Sequence, residues 1–288
     1  MKIAKYLFIV VFFSVFSSCE DLPLEGALGI GIESVDSRFE YSVLKDFTYQ
    51  FKTLYAKNDE YTVYAATDFH VEDDIPSINQ SVFLQASLDD EAAVCCLTLG
   101  DIGNGTETAY QNYMGVLMNF PEVKVVGCLG NHDLHHGGWQ RHKDYFGCPV
   151  YYFEIITPNH KDLFICLDSA NGTLGRKQTA WLKDLLKEIR NDYRNCIVFT
   201  HSNLTSKDIS QGTAGIVLIE ELYALFHLFS SNNVSMVLSG HDHYYEDATV
   251  QGVRYVTLDS AEDDDTNSSY LKINCSNKVL YDVIRFRE

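Results

Sequence analysis

Gly130-Asn131-His132-Asp133 follows directly on an apolar run, residues 123–129, that reads as a buried strand. Polar side chains that merely ended a core strand would cost desolvation and return nothing. Other apolar runs end the same way. Residues 61–66 lead into Asp68-Phe69-His70, and residues 92–99 into Gly100-Asp101. Residues 196–200 lead into His201, and residues 234–239 into Gly240-His241-Asp242-His243. Asp68, His70, Asp101, Asn131, His201, His241 and His243 are carboxylate, amide and imidazole donors. That mixture suits divalent transition metals.

These donors need a scaffold that brings the ends of separate strands to one edge. From residue 60 onward, strand-like and helix-like stretches alternate, which predicts an α/β architecture. In open α/β sheets, ligands bind beyond the carboxyl ends of the strands. Helices are expected at 78–88, after Thr106 as cap, at 139–146 and at 177–193. The last carries an apolar stripe of Trp181, Leu182, Leu185, Leu186 and Ile189. A further helix over 214–229 is apolar on most of its surface and is expected to be well buried. Residues 150–156 and 163–167 read as paired strands, and the chain ends in strands at 250–258, 271–274 and 279–285. Residues 39–57 mix aromatic and charged side chains and read as a leading strand or hairpin. The acidic run 262–265 reads as a solvated loop.

The chain has 288 residues and a formal net charge of −18. A hydrophobic content of 46% supports a sizeable core. No basic face is visible, so nucleic acid is not an expected partner. An anionic substrate would need local positive charge, which metal ions can supply. Lys2 and Lys5 precede an apolar run too short to span a bilayer, the form of an export signal. Phe16-Ser17-Ser18-Cys19 resembles a bacterial lipobox, in which the signal is cut before a cysteine that becomes diacylated. Residues 1–18 are therefore read as a lipoprotein signal peptide, Cys19 as the lipidation site and 19–58 as a tether and leading segment. Residues 59–288 are read as the main domain, exported and lipid-anchored in the bacterial cell envelope on its periplasmic or cell-surface side. The remaining cysteines sit largely inside apolar runs and read as small buried hydrophobes, not as a disulfide framework.

The motifs, in this order, resemble the calcineurin-like metallophosphoesterase family. The matching residues are Asp68 with His70, Gly100-Asp101, Gly130 to Asp133, His201, and His241 with His243. The resemblance spans roughly residues 60–260 and includes Phe146-Gly147, Tyr151-Tyr152-Phe153, Leu167-Asp168-Ser169 and Gln178 with Trp181-Leu182. It implies a four-layer α/β/β/α sandwich with two divalent metals (manganese, iron or zinc) at the carboxyl ends of the strands. Carried over, Asp68, His70 and His243 hold the first metal, Asn131, His201 and His241 the second, and Asp101 bridges. A carboxylate has two oxygens and can span two cations, whereas a neutral imidazole offers one nitrogen. The resemblance makes His132 a general acid or a donor to the phosphoryl oxygen, oriented by Asp133. The implied reaction is hydrolysis of a small phosphate ester, expected to be a phosphodiester, by attack of metal-bound hydroxide on phosphorus. The alternatives are a phosphomonoesterase of the same fold and a catalytically silent surface binding protein.

Two positions depart from the family pattern. The fourth motif often continues as His-x-Pro but here reads His201-Ser202-Asn203. The purple acid phosphatase branch has a metal-binding tyrosine where this chain has Asn104. Asn104, His135 and His136 are candidate substrate contacts; His142, His160 and His227 are read as ordinary surface or core residues.

Overall fold

Side chains alternate across a β-strand, so an apolar run can feed two cores at once. In β6 (Lys161–Cys166), Phe164 and Cys166 join one core while Leu163 and Ile165 join another. β7 (Cys196–Phe199) divides in the same way, with Ile197 and Phe199 against Cys196 and Val198. β8 (Met236–Ser239) sends Met236 and Leu238 one way and Val237 the other. This is why the runs look uniformly apolar in sequence: both faces are covered.

The computed structural model describes residues 34–47, 51–72, 75–205 and 218–287. A seven-stranded sheet has the order β1-β5-β6-β7-β8-β10-β9, with β1 at Thr53–Tyr55, β5 at Tyr151–Ile156, β9 at Glu246–Val250 and β10 at Val253–Thr257. A five-stranded sheet has the order β12-β11-β2-β3-β4, with β2 at Tyr61–Ala66, β3 at Ala93–Thr98, β4 at Val125–Gly127, β11 at Ser269–Cys275 and β12 at Val279–Arg285. The sheets pack face to face. Tyr61 Oη donates to Asp162 across the interface at 2.8 Å, and Tyr151 Oη donates to the Gly127 carbonyl at 2.8 Å. On the outer side of the five-stranded sheet lie α2 (Ile78–Leu88) and α3 (Glu107–Leu117), where Phe83 of α2 meets Tyr64 edge-on. On the outer side of the seven-stranded sheet lie α5 (Gly175–Ile189) and α6 (Ile219–Ser231), which contribute Leu182, Leu186, Leu225 and Phe229. The expected α/β/β/α order is therefore present.

β2, β3 and β4 run parallel in one sheet, and β6, β7, β8 and β10 run parallel in the other. The carboxyl ends of β2, β3, β4, β7 and β8 meet at one edge, which straddles both sheets.

Several local expectations need correction. Among the described residues of 39–57, the leading strand is only the short β1, and before it Val35–Leu44 is a helix, α1, not the partner of a hairpin. Ser34 caps α1, and Val35, Arg38, Phe39 and Ser42 recur at helical spacing and are buried. Arg38 forms a fully buried fork with Asp168, Nε to Oδ2 at 2.7 Å and Nη2 to Oδ1 at 3.0 Å, and also donates to Asn171 at 2.6 Å. Residues 250–258 are not one strand, because Gln251 and Gly252 both adopt positive φ (51° and 85°) and fold the chain into the β9–β10 hairpin. Helix α6 is buried only on one side: Leu225 and Phe229 are fully buried, whereas Tyr223 is 63% exposed. The first part of its expected span lies outside the described residues, as do residues 1–18 and Cys19. Among the described residues, no helix is long and apolar enough to cross a membrane. All seven cysteines from Cys95 to Cys275 are buried free thiols.

Candidate metal centre

Asp68 follows β2 and is fully buried. Thr67 Oγ1 and the His241 amide donate to its Oδ2, at 2.6 and 2.9 Å. Its Oδ1 accepts no hydrogen bond, although His243 Nε2 lies 3.3 Å away and His70 Nε2 3.6 Å away. The two imidazole nitrogens are themselves 3.2 Å apart. Donors that share one cation at about 2.1 Å sit roughly 3.0–3.4 Å from each other. A buried carboxylate oxygen without a hydrogen bond, facing two imidazole nitrogens at that spacing, fits a metal position.

A second group lies beside the first. His201 Nε2 is 3.2 Å from Asp101 Oδ2, 2.9 Å from Asn131 Oδ1 and 3.2 Å from His241 Nδ1. His201 is fixed from behind by the Leu99 carbonyl, 2.8 Å from its Nδ1. That contact settles which nitrogen faces the site. Asp101 sits between the groups. Its Oδ1 accepts the His132 amide at 2.7 Å. Oδ2 is 3.2 Å from His201 Nε2 and 3.9 Å from His70 Nε2.

The backbone at these positions is unusual. Asp68, His70, Asp101, His241 and His243 adopt φ of 52°, 42°, 49°, 74° and 55°. Non-glycine residues enter this left-handed region at a cost, and such residues gather at functional sites. Gly130 lets the β4 loop approach: a Cβ there would collide with the Asp101 side chain.

The electrostatics follow from burial. Burial pushes the Asp101 carboxyl up, but His201 and His70 outweigh it and draw it down to about 2. Asp68 is likewise held well below the usual carboxylate range, burial being outweighed by His201, His243 and His70. Burial lowers His201 and His70, yet the facing carboxylates raise them to about 10 and about 9. The carboxylates thus demand positive charge here, which imidazolium protons can meet and divalent cations can meet more fully.

His132 and Asp133 divide differently from the sequence expectation. The Asp133 carboxylate accepts the backbone N–H groups of Asp101, Ile102 and Gly130 at 2.9, 3.0 and 2.9 Å. Both of its oxygens are committed to the β3 and β4 loops, so Asp133 positions Asp101 and does not orient the His132 ring. Burial, with Asp101, raises this carboxyl to about 7. The His132 ring stands edge-on to His70 with centroids 4.7 Å apart, and burial pushes it down to about 4. His132 is therefore a neutral imidazole at neutral pH. The His135 ring lies 4.7 Å beyond it, and His136 is exposed. Asn104 turns its carbonyl to the Thr106 amide and hydroxyl, at 3.0 and 2.7 Å, and so shapes the start of α3. Asn203, where the family often has proline, accepts from Thr205 and donates to Asp242 at 2.8 Å, tying the His201 loop to the His241 loop.

Two residues of the acidic run escaped the sequence reading. Asp263 accepts the Ile78 and Asn79 amides at 2.9 and 2.7 Å and caps α2. Glu262 turns to the metal centre, with Oε1 4.0 Å from His70 Nε2 and Oε2 4.0 Å from His243 Nδ1. No spacing rule separates these two from Asp264 and Asp265. Of the other histidines, His142 is buried beside Trp139 on α4 (Gly138–Tyr145).

The description of the calcineurin-like phosphoesterase family matches residues 61–245. A manganese-dependent ADP-ribose/CDP-alcohol diphosphatase of Arabidopsis thaliana is 28% identical over 152 residues, 49% of this chain and 47% of the relative. The chain thus spans about half the length of that curated relative. A dimetal phosphatase from Danio rerio has a similar fold, with a TM-score of 0.57 and 14% identity over 77% of this chain and 98% of that one. A Plasmodium protein (GAP50) described as the anchor in the inner membrane complex gives a TM-score of 0.62 and 15% identity over 78% of this chain and 84% of that one.

Proposed function

Because this chain belongs to the calcineurin-like phosphoesterase family, we propose that it is a metal-dependent hydrolase of phosphate esters acting on a phosphodiester or diphosphate linkage. The observation that carries this reading is the pair of adjacent donor groups, Asp68 with His70 and His243, and Asp101 with His201 and His241, with Asp101 Oδ2 3.9 Å from His70 Nε2. Asp68, His70 and His243 would hold one cation, and Asn131, His201 and His241 the other. When bound, two such cations offset charge on phosphoryl oxygens and make a nucleophile available at neutral pH.

The chain's own residues do the rest. Asp133 clamps the amides around Asp101 and Gly130, so that the carboxylate and Asn131 present together. His132, neutral at pH 7, donates an N–H to a phosphoryl or leaving-group oxygen next to His70. That role suits this environment better than an imidazolium acid, because nearby cations would lower its pKa further. His135 extends the same row of rings and is suited to a second phosphoryl group. The name of the Arabidopsis relative points the same way, toward a diphosphate joining two alcohols, and manganese in that name fits the mixed donors. A silent role is the weaker reading: an idle surface has no chemical need for Asp68 Oδ1 to stay buried without a hydrogen bond.

The N-terminal sequence supports export and anchoring at Cys19, with the site on the outer side of a membrane. Incorporation of labelled palmitate that disappears in Cys19→Ala is the expected result, and persistence of the label in that variant would refute it. The enzymatic reading is tested by hydrolysis of bis-p-nitrophenyl phosphate, p-nitrophenyl phosphate and a nucleoside diphosphate ester with manganese. Diester or diphosphate turnover, abolished by chelator and lowered ~10²-fold in kcat by His132→Ala, is expected. Monoester turnover alone would move the substrate class.

A further inference from the structure

Glu262 comes from outside every strand-end motif, yet its backbone segment is firmly held at the site. Its segment is bonded on one side to the chain that carries Asp68. The Ala261 amide donates to the Thr67 carbonyl at 2.9 Å, and Ser260 Oγ donates to the Asp68 carbonyl at 3.2 Å. On the other side, Asn79 Nδ2 donates to the Glu262 carbonyl at 2.8 Å, and Asp263 caps α2. The Glu262 amide itself donates to Ser260 Oγ at 2.9 Å. All these contacts use the backbone or neighbouring side chains. The Glu262 carboxylate is left facing His70 and His243 with both oxygens.

We propose that Glu262 is an eighth donor of the centre, serving the cation held by Asp68, His70 and His243. This rests on the dinuclear reading above. Oε1 lies 4.0 Å from the His70 nitrogen that faces that position, and Oε2 lies 4.0 Å from His243 Nδ1, the nitrogen turned away from it. Both distances are longer than the roughly 3.0–3.4 Å of donors that share one ion, so one oxygen faces the cation position and the other the far nitrogen of a ligand histidine from just beyond contact. The consequence is an asymmetric pair. With Glu262 added, Asp68 and Glu262 would stand with His70 and His243 at the first position, and Asn131 with His201 and His241 at the second, with Asp101 between them. A position richer in carboxylate favours a hard ion such as Mn²⁺, and the other tolerates a softer one.

The test is a Mn²⁺ titration of the metal-stripped protein, followed by the paramagnetic resonance of free Mn²⁺, for wild type, Glu262→Gln and Asp264→Asn. Asp264 is an exposed acidic neighbour that controls for overall charge. The expected result is two affinity classes in wild type and in Asp264→Asn, with the tighter class weakened ~10-fold in Glu262→Gln and the other unchanged. Melting in chelator should be the same for all three, because the Glu262 backbone contacts remain. Unchanged Mn²⁺ affinities in Glu262→Gln would overturn the proposal, as would equal weakening in Asp264→Asn. Wild type that binds no Mn²⁺ would instead remove the dinuclear reading itself.

Discussion

The two sheets bring different chemistry to the shared edge. The strand-end motifs of the five-stranded sheet deliver Asp68, Asp101 and Asn131, with His70 and His132, and so all the oxygen donors those motifs hold. The strand-end motifs of the seven-stranded sheet deliver only imidazoles, His201, His241 and His243. Neither set alone makes a balanced site: the first leaves buried carboxylates uncompensated, and the second leaves imidazoles without charge to complete them. The difference shows that this centre is a product of sheet packing, not of one strand–loop motif. Its cross-sheet bonds say the same. His201 is held by the Leu99 carbonyl beyond β3, and the His241 amide by Asp68 beyond β2.

The comparison can be broken most severely at Asp101. Asp101→Asn should lower kcat/KM by roughly 10³-fold and reduce the bound metal, read by steady-state kinetics and elemental analysis. Arg38→Ala strikes the same edge without touching a donor. It leaves Asp168 buried and unpaired, and should cost about 3–5 kcal/mol in urea unfolding while metal stoichiometry of the folded protein holds. If the variant instead loses metal while still folded, α1 belongs to the site and not only to the scaffold. Metal removal should loosen the joint between the sheets: with Mn²⁺ at 100 times its dissociation constant, chelation should lower stability by about 2.7 kcal/mol, seen as a drop in Tm. Asn203→Ala cuts the bond between the two imidazole loops and should cost about 1 kcal/mol with a few-fold rise in the Mn²⁺ dissociation constant.

The donors of both sheets could be picked from the sequence because polar residues at the ends of uniformly apolar runs have few structural reasons to be there. Helix α2 and the Thr106 cap of α3 were legible for the same local reasons of spacing and side-chain capping. Residues whose task depends on a distant partner were not. Arg38 looks like one charge among many until Asp168 is brought beside it. Asp133 is a motif residue whose partners are backbone amides, which no pattern of side chains reveals. Glu262 and Asp263 stand side by side in one acidic run, and only the packing of that loop between α2 and the β2 end separates a site residue from a cap. The β9–β10 turn was missed because Gln251 adopts a positive φ that its side chain does not advertise.

The central claim is a centre assembled from both sheets, and counting metals tests it most directly. Mn²⁺ bound per folded chain should be two for wild type, and one each for His243→Ala and His201→Ala, which empty opposite groups. A single bound ion in wild type, or two ions retained in both variants, would contradict it.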